Sequence, residues 1–300
     1  MNSILVVGTV ALDSVKTPFG DHQAILGGSA AYFSVSARYF SPVRLVAVVG
    51  KDFPHEHVAF LKKRGIDTTG LMLTSGKTFR WEGEYTGDMN SATTLATHLN
   101  VLAEFDPAIP EEYKKTPYVF LANIDPEIQE RVLQQLSRPR LVAADTMNFW
   151  IANKRQQLLK LLKKIDLFFL NDGEAKLLSG ESNILKAVQQ VIKLGPKKVI
   201  VKKGEHGALL FHDKTFFCTS AFLLETVVDP TGAGDTFAGG VMGYISQSGK
   251  LNQSVFRKAI VHGSVLASFT VEGFSLNGLV KATRPAIKAR VQEFEKRHYF

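Results

Sequence analysis

Short apolar runs recur along the chain: Ile4 to Val7, Leu45 to Val49, Tyr118 to Leu121, Leu141 to Ala144, Leu167 to Leu170 and Val199 to Val201. Between them, Ala30 to Phe40, His55 to Lys63, Pro126 to Leu136, Leu158 to Lys164 and Ile184 to Lys193 carry apolar residues at helical spacing. This alternation predicts an α/β fold, with a mostly parallel sheet covered by helices on both faces. In open sheets of that kind, ligands sit beyond the carboxyl ends of the strands. Here those ends run into Gly8, Gly50, Asn123, Asp145, Asn171 and Gly204.

Two stretches break the alternation. Residues Thr9 to Ala24 and about Leu71 to Asn100 read as short strands and polar loops outside the main sheet, and together they predict a small β lid. Polar and aromatic residues alternate from Thr78 to Tyr85, as in a strand with one face covered. A plain edge hairpin capping the core is the other reading. Arg284 to His298 predicts a closing amphipathic helix, and no internal repeat is visible, so residues 1–300 are expected to form one domain.

At 300 residues and 45% hydrophobic content the chain can bury a large core. The formal charge of +8 raises the question of nucleic acid. The densest basic run, Lys154 to Lys164, has leucines at helical spacing, so its cations are expected on the wet face of a surface helix. No nucleic-acid partner is expected. Cys218 is the only cysteine, which excludes an intrachain disulfide and fits a reducing cytoplasm; it is expected to be an inert packing residue. The first residues lack a basic leader, and no stretch approaches the roughly 18 to 20 apolar residues that span a bilayer. A cytoplasmic protein without membrane contact is expected.

The most informative run is Asp229 to Gly240, D-P-T-G-A-G-D-T-F-A-G-G. Its small residues let the backbone turn tightly and aim several N–H groups at one point, where a helix starts. Such a terminus, with unpaired donors and the positive end of the helix dipole, stabilises phosphate. Asp235 lies in the same turn, where a carboxylate can take a proton from an attacking alcohol. A phosphate holder and a general base in one element point to phosphoryl transfer to a hydroxyl. The plainer alternative is a Gly-rich turn that only starts a helix.

With this run the chain resembles the ribokinase family, also called the PfkB carbohydrate kinases. The resemblance rests on G-T-V-A-L-D at Gly8 to Asp13, the pair Gly27 and Gly28, N-D-G-E at Asn171 to Glu174, K-K-G-E-H-G at Lys202 to Gly207, and D-P-T-G-A-G-D. It implies a three-layer sandwich with a mostly parallel central sheet and a small β lid. It also implies an ATP-dependent kinase acting on a primary hydroxyl of a sugar or sugar-like substrate, with a nucleoside as the alternative acceptor. Asp235 would be the base, and the N–H groups of Gly232, Ala233 and Gly234 would hold the charge on the moving phosphoryl group. Asp13, Gly27, Gly28 and Tyr32 would meet the acceptor. Asn171, Lys202, Gly204, Gly207 and His262 would bind the nucleotide, with His262 against adenine.

Asn171 and Glu174 would also serve Mg²⁺ through water; read without the family they are a helix cap and its reciprocal glutamate. Asp229 and the loop from Thr270 to Ser275 match where many relatives bind a monovalent cation such as K⁺. Lid strands in relatives often pair between subunits, which makes a homodimer through the lid an expectation. The chain departs from ribose-type members, which generally carry Asn where Ala11 and Tyr32 stand here. Two polar contacts are missing, so free ribose is not the expected substrate. Phe79, Trp81 and Tyr85 would suit a flat base, and Asp88 and Asn90 are candidate lid contacts.

Other motifs lead nowhere. Gly70 to Thr78 resembles a Walker A loop, but five residues separate its glycines where that loop has four. His55-Glu56-His57 lacks metalloprotease spacing. Two rivals from other classes remain: a non-catalytic sugar or nucleotide sensor on the same scaffold, and a basic nucleic-acid-associated protein, which steep salt dependence of DNA or RNA binding would support.

Overall fold

In the computed structural model, which describes residues 2–87 and 89–297, the apolar runs are strands and the segments between them helices. The N-terminal part runs β1 (Ile4–Val7), β2 (Ala11–Thr17), β3 (Gly20–Gly27), α1 (Ser29–Ala37), β4 (Val43–Gly50), α2 (His55–Lys63), β5 (Ile66–Thr74), β6 (Arg80–Tyr85) and β7 (Ala92–His98). It continues with β8 (Tyr118–Leu121), α3 (Pro126–Gln134), β9 (Leu141–Ala144), α4 (Asn148–Asn153), α5 (Arg155–Leu162), β10 (Leu167–Asn171), α6 (Asp172–Ser179) and α7 (Ile184–Lys193). After β11 (Lys198–Lys202), β12 (Ala208–His212) and β13 (Thr215–Thr219), the helices α8 (Ala233–Ser248), α9 (Gln253–Thr270), α10 (Asn277–Lys281) and α11 (Arg284–Arg297) follow. The last residue of the expected closing helix, His298, lies outside the described residues, as does Asp88.

Nine strands form one sheet in the order β13-β12-β11-β10-β9-β8-β1-β4-β5. Pairing is parallel from β5 to β11, and β12 and β13 add antiparallel strands at one edge. Alternation of side chains divides the core into two halves. Ile4, Val6, Phe120, Phe169 and Ile200 face α1, α8 and α9, whereas Leu5, Val7, Leu121, Phe168 and Val199 face α3, α5 and α7. This is the expected three-layer α/β sandwich. Phe33 of α1 stacks on Phe120 of β8 at 4.1 Å, which ties a helix of one layer to the middle of the sheet.

β5 extends the large sheet further than its sequence indicates. Leu71, Met72 and Leu73 pair with Ala47, Val48 and Val49, so residues 71–74 belong to the large sheet and not to the lid segment expected from Leu71. An edge strand is covered on one side only, and I-D-T-T-G-L-M-L-T lacks the continuous apolar run that marks the central strands. Cys218 differs from expectation too: on the edge strand β13 it is exposed.

The remaining strands form a second sheet in the order β3-β2-β6-β7. In its register Asp13 lies beside Trp81, and Val15 beside Gly83, so Asp13, Trp81 and Tyr85 share one face by the two-residue period. That face meets the large domain: the Thr231 hydroxyl donates to the Tyr85 hydroxyl at 3.4 Å, and Ser275 Oγ donates to Leu26 O at 2.5 Å. The chain order reverses between β1 and β8, the topological switch point where ligands bind in open α/β sheets, and α8 packs against both of these strands.

Candidate active site

The start of α8 is built by its own sequence. Asp229 Oδ1 accepts from Thr231 N–H at 2.9 Å, Ala233 N–H donates to Pro230 O at 3.1 Å, and Gly232 turns the chain with φ of 73°. The first intrahelical bond runs from Thr236 N–H to Gly232 O at 2.8 Å. Ala233 N–H, one of the three donors expected to hold phosphate, is therefore already engaged. Among the described residues the N–H groups of Gly232, Gly234 and Asp235 have no protein acceptor. They lie where the helix dipole is positive, which makes the terminus an anion site.

Asp235 stands in the first turn of this helix. Desolvation by the surrounding protein pushes its carboxyl up to about 7; the Asp145 charge adds to this and the Lys202 ammonium opposes it. A carboxylate so poised can accept a proton near neutrality. Lys202, the last residue of β11, extends its Nζ to within 2.6 Å of Asp145 Oδ2. Burial works against its charge, but Asp145, Glu174 and Asp235 together raise its pKa, so it stays an ammonium. In the sequence Asp145 stands out only as a strand end. The available signal was an acid directly after the buried run of β9, at the carboxyl edge where sites form.

Across from this group lies the acceptor side. Asp13 is 5% exposed, and burial pushes its carboxyl up to about 7; the Gly28 N–H opposes the shift, while the charges of Asp229 and Asp235 add to it. Gly28 N–H donates to Asp13 Oδ2 at 3.3 Å. The glycine pair serves the protein's own packing: a Cβ on Gly27 would lie 1.9 Å from Asp13 Oδ2, and one on Gly28 would lie 2.5 Å from Thr9 O. Tyr32 is 1% exposed and its ring lies against Gly232; besides burial, the charges of Asp13, Asp229 and Asp235 hold its hydroxyl well above the usual range. Burial likewise raises Tyr85 to about 12. Both phenols are neutral and able to donate.

The other expected nucleotide residues divide. Asn171 and Glu174 form the reciprocal cap: Glu174 N–H donates to Asn171 Oδ1 at 2.8 Å, and Asn171 N–H donates to Glu174 Oε2 at 2.6 Å. Burial pushes Glu174 up to about 7, opposed by Lys202. Gly204 and Gly207 bound a single 3-10 turn after β11. The lid residue Asn90 reaches this turn, its Nδ2 donating to Glu205 Oε1 at 3.0 Å. His262 stands apart. Its ring stacks on Tyr244 at 4.2 Å and its Nδ1 lies 2.8 Å from Lys258 O. With Phe40, Gln247 and Arg284 it lines a cavity of about 420 Å³, and Gln247 is about 18 Å of helix rise from Asp235. The structure does not bring His262 to the other nucleotide residues.

Among the described residues no three His, Cys, Asp or Glu side chains form a metal cage. Glu174 still fits a magnesium ion held through water: its second oxygen has no protein partner among the described residues, and magnesium takes few protein ligands. Asp229 differs. Its two oxygens accept Thr231 N–H and Ser275 N–H, so its carboxylate joins two loops.

The profile of the "pfkB family carbohydrate kinase" matches residues 6–280. A cytidine kinase of Thermococcus kodakarensis is 29% identical over 85% of this chain and 92% of its own. A ribokinase of Lactococcus lactis is 23% identical over 98% of this chain and 99% of its own. The solved nucleoside kinase of Methanocaldococcus jannaschii has the same fold, with a TM-score of 0.76 at 21% identity over 98% of this chain and 99% of that one. With the anion-binding start of α8 and its carboxylate at Asp235, these similarities identify the chain as a member of the pfkB family of carbohydrate kinases, enzymes that phosphorylate sugars and nucleosides with ATP.

Proposed function

We propose that the chain transfers the γ-phosphoryl group of ATP to a primary hydroxyl on a ribosyl acceptor, and that a nucleoside suits the site better than a free sugar. The observation that carries the reaction is Asp235, desolvated at the start of α8 beside the open N–H groups of Gly232 and Gly234. Asp13 accepts hydroxyl hydrogen bonds of the acceptor and fixes its orientation, and Asp235 takes the proton from the attacking hydroxyl. The N–H groups of Gly232, Gly234 and Asp235 meet the charge that spreads over the moving phosphoryl oxygens. Mg²⁺ bound with ATP would be held through water at Glu174 and would neutralise phosphate charge. The small sheet covers the site and keeps water from competing with the acceptor.

The nucleoside preference rests on Trp81 beside Asp13 in the sheet register, with Tyr85 on the same face. A flat base has aromatic surface to stack on, and the cytidine kinase relative is consistent with it. Exposed Phe19 and Leu95 on the small sheet and its turn, 55% and 59% accessible, support lid-to-lid pairing of two chains. A lone cysteine fits the reducing cytoplasm, and among the described residues no helix is long and apolar enough to cross a membrane. A screen of pentoses, hexoses and nucleosides with ATP, read by coupled ADP release, tests the reading. Turnover of a nucleoside above all free sugars is expected; ATP consumption with none of them would overturn it.

A further inference from the structure

Arg290 of α11 spends the hydrogen bonds of its side chain on one segment, the end of α9 and the turn after it. Its Nη1 donates to Ser268 Oγ at 2.8 Å, and its Nη2 donates to both carboxylate oxygens of Glu272, at 2.8 and 2.9 Å. The guanidinium also sits over the ring of Phe269, its carbon 3.7 Å from the centroid. A ring, a hydroxyl and a carboxylate together fix one orientation of the planar group. The segment so held is a joint of the site. Val271 O accepts Val228 N–H at 2.7 Å and Asp229 N–H at 3.3 Å, the residues that open the turn before α8. Ser275 N–H donates to Asp229 Oδ2 at 3.3 Å. On the lid side, Ser275 Oγ donates to Leu26 O, and the ring of Phe274 lies 4.0 Å from that of His22 on β3. Ser275 is held at φ of 56°, a left-handed backbone that a side chain tolerates only where its surroundings fix it. The helix α11 has its own apolar anchors in the buried Ile287 and Phe294, and a partly exposed ion pair adds little stability. What Arg290 holds is the better account of its geometry.

We propose that Arg290 is a positioning residue: from α11 it fixes residues 268–272, and through them both the turn whose N–H groups meet the moving phosphoryl group and the adjoining edge of the lid. It acts without touching either substrate. The proposal rests on the kinase reading above. With the link released, the Val271 carbonyl and the Ser275 N–H shift together, and the donors of Gly232, Gly234 and Asp235 leave the place where transition-state charge develops. Misplacement by about 1 Å is enough to cost roughly 10²-fold in rate. The loss falls on the transition state, so ADP, which lacks the transferred group, keeps its affinity.

The test uses the full chain with the acceptor found in the screen. Arg290→Met keeps an unbranched chain against Phe269 and removes both polar links. Glu272→Ala, at a side chain 37% exposed, leaves Arg290 on Phe269 and opens only the link to the turn. Ile287→Ala is the control, since it weakens the packing of α11 away from the held segment. Expected for Arg290→Met and Glu272→Ala are a kcat lower by roughly 10- to 100-fold, a raised KM for the acceptor and an unchanged Kd for ADP. Arg290→Lys, which keeps a charge for Glu272, should recover part of the loss, and Ile287→Ala should lower the unfolding temperature with kcat retained. A folded Arg290→Met chain with the kcat of the parent overturns the role. So does an equal loss of ADP affinity, or a loss of kcat in Ile287→Ala as large as in Arg290→Met, which would mean that helix docking alone matters. Should Arg290→Met fail to fold, Glu272→Ala decides: a lowered kcat supports the role and an unchanged one overturns it. A parent chain that phosphorylates no acceptor defeats the kinase reading and this role with it, whereas an active parent with equally active variants defeats this role alone.

Discussion

The ring of Tyr32 on α1 lies directly under Gly232 at the start of α8, where an added Cβ would fall 2.3 Å from Tyr32 Cδ2. Tyr32 is fully buried, whereas Gly232 is partly buried and has φ of 73°. Gly232→Ala therefore suffers twice, from a left-handed backbone and from a collision with a ring. We expect a loss of kcat with a weaker fold, by about 1 kcal/mol or more from the backbone alone. Denaturant unfolding together with the kinase assay checks both effects. Tyr32→Ala empties a buried position and is destabilising by itself, but it removes the collision, so Gly232→Ala should cost less in a Tyr32→Ala background than in the parent chain.

Trp81 tests the acceptor class. If a base stacks on it, Trp81→Ala weakens nucleoside binding by about 1 to 3 kcal/mol per base. KM for a nucleoside should rise accordingly, while KM for a free pentose should change little. Equal changes for both acceptors would remove the argument for a base.

Much of this was legible in the sequence, for physical reasons. β1, β8, β9, β10 and β11 are buried on both faces and so read as unbroken apolar runs; β5 and β13 are edge strands with mixed polarity and do not. The start of α8 was legible because its phosphate-binding backbone needs small residues at fixed positions. The Lys202–Asp145 pair was not, because 57 residues separate its members and only the sheet brings them together. The commitment of Ala233 N–H to Pro230 O was hidden too, since three consecutive donors look alike until the turn is built. His262 followed the family pattern, but its ring packs on Tyr244 of the neighbouring helix.

Stability and activity should respond to pH in opposite directions. Asp13, Asp235 and Glu174 have carboxyls raised by burial to about 7, against 3.8 to 4.5 in an unfolded chain. Between those values the folded state binds more protons than the unfolded one, so their contribution is fully present below about pH 4 and is lost as pH rises through about 7. Activity needs Asp235 unprotonated and should rise over the upper part of that window. Thermal unfolding of the free protein from about pH 5 to 8, beside kcat/KM over the same range, checks the pair of trends. Parallel trends would mean that Asp235 does not titrate there.

The most direct test of the account is turnover by Asp235→Asn. The substitution keeps the size of the side chain and removes a carboxylate that burial disfavours, so unfolding temperature and ADP affinity should hold. Phosphorylation of the acceptor should fall by roughly 10²- to 10⁴-fold, the loss expected for a general base. A correctly folded Asp235→Asn chain that transfers phosphate as fast as the parent would contradict the assignment of this residue as the base.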